Sequence, residues 1–280
     1  MVNLKEVLIK HGFSFKKCFG QNFISDVNLL KSIVELSDID SNSTVVEIGA
    51  GGGTLTREIA AIAKNVISFE IDYKLKPVLK DMTDEFNNIE YIFGDFLKYN
   101  LDELEEKAGD NYTVIANLPY YITTPIIMRF IEKSKKFKCL IIMVQEEVAL
   151  RLTAKENTPD YGAITAAIDI CANAEIVKKV NRSIFYPIPN VDSAIVKITA
   201  DTNKYKYADL KTYKDTVKYA FLNRRKTLVN NLILNYKFSR DVAEQLLISV
   251  NIDLKARGET LSTEMFVQLS NKIYEKLKEI

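Results

Sequence analysis

Residues 45–53, Val45-Val46-Glu47-Ile48-Gly49-Ala50-Gly51-Gly52-Gly53, decide how the rest of the chain is read. Three apolar residues, Val45, Val46 and Ile48, lead into four glycines. A helical pattern follows from Thr54 to Lys64. This is the signature of a buried parallel strand, a tight turn and a helix start. Glycine permits positive φ at low cost and close approach of backbone to a ligand. The next expected strand, Val66–Ile71, carries Glu70 at its end, 21 positions after Gly49. A carboxylate about 20 residues beyond the turn, at a strand tip, is placed to bond ribose hydroxyls. The first half of the chain is therefore expected to hold a nucleoside, unless the turn serves only to join strand to helix.

The kind of nucleoside follows from two departures. A dinucleotide fingerprint needs a third glycine at the sixth position of G-x-G-x-x-G, and Thr54 stands there. Glu47 lies two residues before the first glycine. A carboxylate so placed would repel a pyrophosphate but could face a cation. S-adenosylmethionine, with its sulfonium and ammonium groups, is the expected ligand.

The 280 residues suit one large domain with a smaller one, and 47% hydrophobic residues are enough for a sizeable core. The net charge is +1, but residues 201–240 carry ten lysines and arginines against three acids. A basic segment beside a nucleoside-binding half points to nucleic acid, and a solvated helical face is the plainer alternative. Cys18, Cys139 and Cys171 are scattered and His11 is the sole histidine. That argues against a zinc site and against a Ser-His or Cys-His hydrolase. No apolar run is long enough to span a bilayer, and the first residues lack the apolar core of a signal peptide. The expected location is the reducing cytoplasm, with no membrane and no metal.

Residues 1–25 form a basic and aromatic lead. Residues 1–15 read as a tail with a few aromatic anchors, whereas 19–24 read as a segment over the cofactor edge or against substrate. Asp26 is placed to cap a helix over 27–37. The strand Ile89–Phe93 runs into Gly94-Asp95. There Asp95 can accept a hydrogen bond from an adenine amino group, since ligands bind at the carboxyl ends of parallel strands. The strand Tyr112–Ala116 runs into Asn117-Leu118-Pro119-Tyr120. Proline ends the ladder. The Asn117 side-chain oxygen and the Leu118 carbonyl can both accept from the exocyclic amine of a planar base, and Tyr120 can stack on the ring. Orienting the amine toward a sulfonium methyl needs no general base beforehand.

Gly20-Gln21-Asn22-Phe23, Glu47-Ile48-Gly49-x-Gly51, Gly94-Asp95 and Asn117-Leu118-Pro119-Tyr120-Tyr121-Ile122 together resemble the ribosomal RNA adenine dimethyltransferases. The resemblance covers about residues 16–275. It implies a cofactor site using Asn22, Ile24, Gly49, Glu70, Asp95 and Asn117. Ala50, where the family commonly has proline, is a departure expected to loosen the turn slightly. Gln145-Glu146-Glu147-Val148-Ala149 also matches the family. Its two carboxylates read as helix-start residues, which the helix dipole favours. In the loop Phe185-Tyr186-Pro187-Ile188-Pro189-Asn190-Val191-Asp192-Ser193, the resemblance makes Phe185 the aromatic that sandwiches the target base opposite Tyr120. After Ala200 the pattern is helical, over about 208–220, 223–235, 239–248 and 263–278. It includes Arg224-Arg225-Lys226 at an expected helix start, where three cations oppose the helix dipole. Phosphate contact is the better reading of those three. These later segments look more like the housekeeping branch of the family, acting on two adjacent adenines near the small-subunit 3′ end, than like the macrolide-resistance branch.

The expected architecture is α/β: a Rossmann-like seven-stranded class I methyltransferase sheet over 1–200 and a small all-helical RNA-contacting domain over 201–280. The expected activity is S-adenosylmethionine-dependent N6-dimethylation of adenine. The partner is small-subunit rRNA or its precursor particle, and the enzyme is a monomer. The alternatives are a large-subunit rRNA methyltransferase and an RNA-binding assembly factor in which methylation is secondary.

Overall fold

The computed structural model of the chain describes residues 3–15, 22–24, 26–134 and 136–279, without the side chains of Tyr120 and Tyr121. The elements run α1 (Leu4–Lys10), β1 (Phe23–Ile24), α2 (Val27–Leu36), β2 (Thr44–Ile48), α3 (Thr54–Ala60), β3 (Asn65–Glu70), α4 (Lys76–Thr83) and β4 (Ile89–Phe93). They continue through α5 (Leu101–Ala108), β5 (Tyr112–Asn117), α6 (Tyr120–Lys133), β6 (Phe137–Gln145), α7 (Glu146–Leu152), α8 (Ala163–Asp169), β7 (Ala172–Val180), β8 (Phe185–Tyr186) and β9 (Ser193–Ala200). Four helices complete the chain: α9 (Leu210–Leu222), α10 (Leu228–Tyr236), α11 (Arg240–Ser249) and α12 (Thr263–Leu277).

Seven strands form one sheet in the order β4-β3-β2-β5-β6-β9-β7. The pairs β3–β4, β2–β3, β2–β5 and β5–β6 are parallel, and β9 runs antiparallel to β6. The strand order reverses direction at β2, so the carboxyl ends of β2 and β5 border the crevice where open α/β sheets bind ligands. The central strands are apolar on both faces because helices cover both: Val45, Val46, Val114 and Ile115 are at most 1% exposed. On one side Leu30, Ile33, Leu55, Ile59 and Ile195 cluster around Val45 and Ile115. The expected cap is present, with Asp26 accepting from the Leu29 N–H at 2.8 Å.

The lead segment departs from expectation. Leu4–Lys10 is a helix, capped by Asn3, whose Leu4, Val7 and Leu8 are buried. They share a cluster with Phe23, Ala50, Leu75, Val78, Leu79 and Met82. The i, i+3, i+4 spacing of these three residues is the reason. Positions 16–21, with Gly20 and Gln21 of the expected motif, lie outside the described residues.

The chain divides into two compact units, 1–149 with 175–200, and 150–174 with 201–280. The boundary expected at residue 200 is thus corrected for 150–174. Tyr161, Ala166 and Ile170 of that segment belong to the same core as Tyr213, Val217, Leu228 and Phe266. The hydroxyl of Tyr161 donates to the Leu261 carbonyl at 2.8 Å, and that of Tyr213 to the Ala166 carbonyl at 2.9 Å. These non-local contacts outweigh chain order. Among the described residues, no helix is long and apolar enough to cross a membrane.

Candidate active site

The glycine turn is held by one carbonyl. Phe69, at the parallel neighbour's end, accepts from the N–H of Gly49 at 2.8 Å and of Ala50 at 3.0 Å. Proline at position 50 would have no N–H to give, so Ala50 adds a bond where loosening was expected. Gly49 has φ +86°, and a Cβ there would stand 3.2 Å from the Asn117 carbonyl oxygen. The turn therefore passes against the start of the Asn117-Leu118-Pro119 segment. Thr54, which broke the dinucleotide pattern, donates its hydroxyl to the Ile24 carbonyl at 2.8 Å and ties α3 to β1.

A cavity of about 370 Å³ opens at this point, within the usual range of small-molecule sites, ~300–1,000 Å³. Asn22, Ile24, Gly49, Glu70, Asp95, Asn117, Leu118, Pro119 and Phe185 all line it. Nine sequence-predicted positions from six strands or strand ends are thereby brought together. Glu70 is 6% exposed. Its two oxygens accept from the N–H of Gly51 and of Asp72, each at 2.8 Å. Burial pushes its carboxyl above the usual carboxylate range, while the Asp72 and Gly51 N–H groups pull the other way. Each oxygen retains acceptor capacity for a ribose diol. Asp95 accepts from the Leu97 N–H through Oδ1 at 3.0 Å and opens a one-turn 3-10 helix, Phe96–Lys98. Its second oxygen suits an adenine amino group. The donor set fits the nucleoside of S-adenosylmethionine.

Asn117 donates Nδ2 to the Asn22 carbonyl at 3.3 Å. This orients the carboxamide and leaves Oδ1 as its acceptor end. Leu118 is 5% exposed, and Pro119 (φ −55°, ψ 136°) precedes a helix that begins at Tyr120. The expected stacking role of Tyr120 falls on a side chain outside the described part of the structure.

Three expectations are corrected. Glu47 does not line the cavity. It is wholly buried and accepts from Thr56 Oγ1 at 2.7 Å and Ser68 Oγ at 2.5 Å, both on Oε2. Burial pushes its carboxyl up to about 7. Strand alternation sends this side chain beneath the turn, away from a ligand. Phe185 lines the cavity but is only 4% exposed and packs with Ile24, Leu30 and Ile195. Pairing of β8 with β1, Ile24 opposite Phe185, turns Phe185 inward and leaves Tyr186 53% exposed. The ring thus reaches the cavity from within the core rather than standing free on the loop.

Third, Arg224, Arg225 and Lys226 do not begin a helix. They follow α9, which ends at Leu222, and α10 starts only at Leu228 behind its Thr227 cap. Cations just past a helix C-terminus are favoured by the dipole, so the argument from an unfavourable position fails. Arg224 donates to the carbonyls of Tyr161 at 3.1 Å and Pro159 at 3.4 Å, and all three cations are exposed. Glu146 and Glu147 do start a helix, as expected, and Glu146 pairs with Lys179 at 2.6 Å.

Sequence reasoning missed Ile71, Leu97, Met143 and Ser193, which also line the cavity. Ile71 was within reach, being the residue after Glu70 at a strand tip. Ser193 was not, because β9 reaches the site only by running antiparallel beside β6.

The sheet order, its one antiparallel neighbour of β6 and the glycine turn at the reversal point define a class I methyltransferase. The sequence model of the ribosomal RNA adenine dimethylase family matches residues 12–275. The ribosomal RNA small subunit methyltransferase A of Geobacillus thermodenitrificans is 42% identical over 276 residues, covering 96% of this chain and 94% of that protein. The protein of the same name from Clostridioides difficile is also 42% identical over 276 residues, covering 98% and 96%. A dimethyladenosine transferase from Plasmodium falciparum superposes with a TM-score of 0.78 at 26% identity, covering 92% of this chain and 98% of that one. The 23S rRNA methyltransferase ErmE does so with a TM-score of 0.70 at 27% identity, covering 90% and 100%. The chain belongs to the ribosomal RNA adenine dimethylase family and is a methyltransferase.

Proposed function

We propose that this enzyme transfers methyl groups from S-adenosylmethionine to the N6 amino groups of two adjacent adenines near the 3′ end of small-subunit rRNA, in the cytoplasm, during ribosome assembly. The observation that carries the proposal is the contact between the Gly49 turn and the Asn117 carbonyl within one cavity. A nucleoside wall and an amine-orienting segment share that cavity. The small-subunit relatives at 42% identity favour this target over the large-subunit one.

Glu70 would hold the ribose hydroxyls and Asp95 the cofactor's adenine, with Asn22, Ile24 and Gly49 forming the rest of that wall. Bound S-adenosylmethionine supplies an electrophilic methyl group on a sulfonium. Asn117 Oδ1 and the Leu118 carbonyl accept hydrogen bonds from the N6 amine, which aligns its lone pair and disperses charge as the nitrogen becomes cationic. Buried Leu118 and Phe185 exclude water beside them. The base must leave its stack to arrive there. Tyr120 and Phe185 are assigned to its faces. Arg225 and Lys226 are assigned to phosphates, with Arg224 buttressing their turn.

The test is methyl transfer from labelled S-adenosylmethionine to unmodified small-subunit particles and, separately, to large-subunit RNA, followed by nucleoside analysis. Dimethyladenosine confined to small-subunit material is expected. Label confined to large-subunit RNA would overturn the assignment of target. No label on either would favour an RNA-binding assembly role.

A further inference from the structure

Arg129 is a cation on α6 that the proposed chemistry does not use. Its guanidinium donates to three carbonyls of a single loop: Phe96 at 2.9 Å, Leu97 and Tyr99. It also lies over the Phe96 ring, 5.3 Å from the centroid. Phe96 is itself stacked on Phe130 at 5.7 Å and meets Phe69 edge-on at 5.0 Å. Nε of Arg129 is buried and has no partner among the described residues. The hydrogen bonds of the guanidinium go to the loop carbonyls, and its charge acts on the Asp95 carboxylate.

That loop is the adenine wall of the cavity, formed by Asp95, Phe96 and Leu97. One peptide links both ends of the arrangement. The Leu97 N–H donates to Asp95 Oδ1 at 3.0 Å, and the Phe96 carbonyl of the same peptide accepts from Arg129 at 2.9 Å. A guanidinium offers five donors in a planar fork, so it can gather several carbonyls at once; an ammonium is a point donor on a flexible stem. Arg129 stands on the same helix that begins directly after Asn117-Leu118-Pro119.

We propose that Arg129 is a positioning residue. By clasping the 96–99 carbonyls it fixes the orientation of the Asp95 carboxylate, and so sets the enzyme's preference for an adenine over another base on its methyl donor. The proposal rests on the S-adenosylmethionine reading above. It predicts a defect in base discrimination rather than a general loss of binding.

The experiment compares dissociation constants for S-adenosylhomocysteine and S-inosylhomocysteine, whose base carries an oxygen where adenine has its amino group. Wild-type protein is expected to prefer the adenosyl compound by about tenfold or more, because a carboxylate accepts from the amine and repels the oxygen. Arg129→Lys and Arg129→Met are expected to cut that preference by at least about threefold, with Asp95→Asn abolishing it and Arg129→Lys adding nothing in the Asp95→Asn background. Thermal midpoints taken alongside separate this from a structural brace, which would weaken both ligands alike. An unchanged preference in both Arg129 variants overturns the proposal, whatever their midpoints. A wild type without preference but active in methyl transfer overturns it while leaving the function intact. A wild type that neither binds S-adenosylhomocysteine nor transfers methyl groups overturns both.

Discussion

The position a Cβ would take on Gly49 lies 3.2 Å from the carbonyl oxygen of Asn117. The cofactor turn and the amine-orienting segment therefore meet with no room for one more carbon. The contact also explains why φ +86° at this residue is tolerable: only glycine can adopt it cheaply and leave the space empty. Gly49→Ala is expected to combine about 1–2 kcal/mol of left-handed strain with displacement of the Asn117 carbonyl. Calorimetric titration should show cofactor affinity reduced about 100-fold or more, a loss larger than the roughly 5–30-fold to which the strain alone corresponds.

Asn117 is bonded to Asn22 through its nitrogen, so its oxygen is the end left for substrate. Asn117→Ala should lower kcat by about 100-fold or more while cofactor affinity changes by less than about threefold. Steady-state kinetics beside binding measurements decide this. Parallel losses in both quantities would remove Asn117 from its orienting role.

Glu47 is wholly buried, and burial raises its carboxyl from 4.5 to about 7. The folded state then holds a proton that the unfolded state releases. Between pH 4.5 and 7 the native protein binds more protons than the unfolded chain, so this group's contribution falls as pH rises through that window. The change amounts to about 3 kcal/mol, at ~1.4 kcal/mol per pH unit. Glu47→Gln keeps the bonds from Thr56 and Ser68 and does not titrate. Urea unfolding at pH 5 and pH 8 should show the variant gaining on wild type at the higher pH. A constant difference would mean that Glu47 is ionised throughout.

Phe185 serves packing as well as the cavity wall. Phe185→Ala is expected to cost about 3–5 kcal/mol of stability, as for other buried aromatics. Phe185→Leu retains most of the apolar volume and should fold with only a modest loss. If the ring also flanks the target base, the leucine variant will be well folded yet slow in methyl transfer. Normal turnover by that variant would confine Phe185 to the core.

The three consecutive cations after α9 should separate by experiment. Arg224→Ala loses two carbonyl contacts and should lower stability by about 1 kcal/mol. Arg225→Ala and Lys226→Ala should leave stability nearly unchanged and each reduce the slope of log K against log salt for RNA binding by about 0.7–0.9. Filter binding across a salt series measures this directly. A full slope in both variants would place the phosphate contact elsewhere.

Much of the site was legible because it sits at strand tips. Gly49, Glu70, Asp95 and Asn117 each terminate or follow a parallel strand, and the carboxyl ends of such strands converge at one edge of the sheet. Local patterning suffices to find strands, so it suffices to find their ends. Glu47 was misjudged because spacing locates a residue along a strand without saying which face bears it. The Arg224-Arg225-Lys226 turn was misjudged for a related reason. A helical period continues across residues 223–227, and only the Thr227 cap and the Asn223 end reveal the break.

The sequence by itself determined the parallel sheet, the glycine turn and the acids and amide that follow it, since each depends on neighbours a few residues away. Only the tertiary structure decided that α1 covers the glycine turn, where a Cβ on Gly52 would stand 2.4 Å from Leu4 Cδ1. It also decided that residues 150–174 join the helical unit and that Arg129 grips the Asp95 loop from α6. Those contacts join residues far apart in the chain. They are chosen by the burial and hydrogen bonds available once the elements pack, which no local pattern encodes.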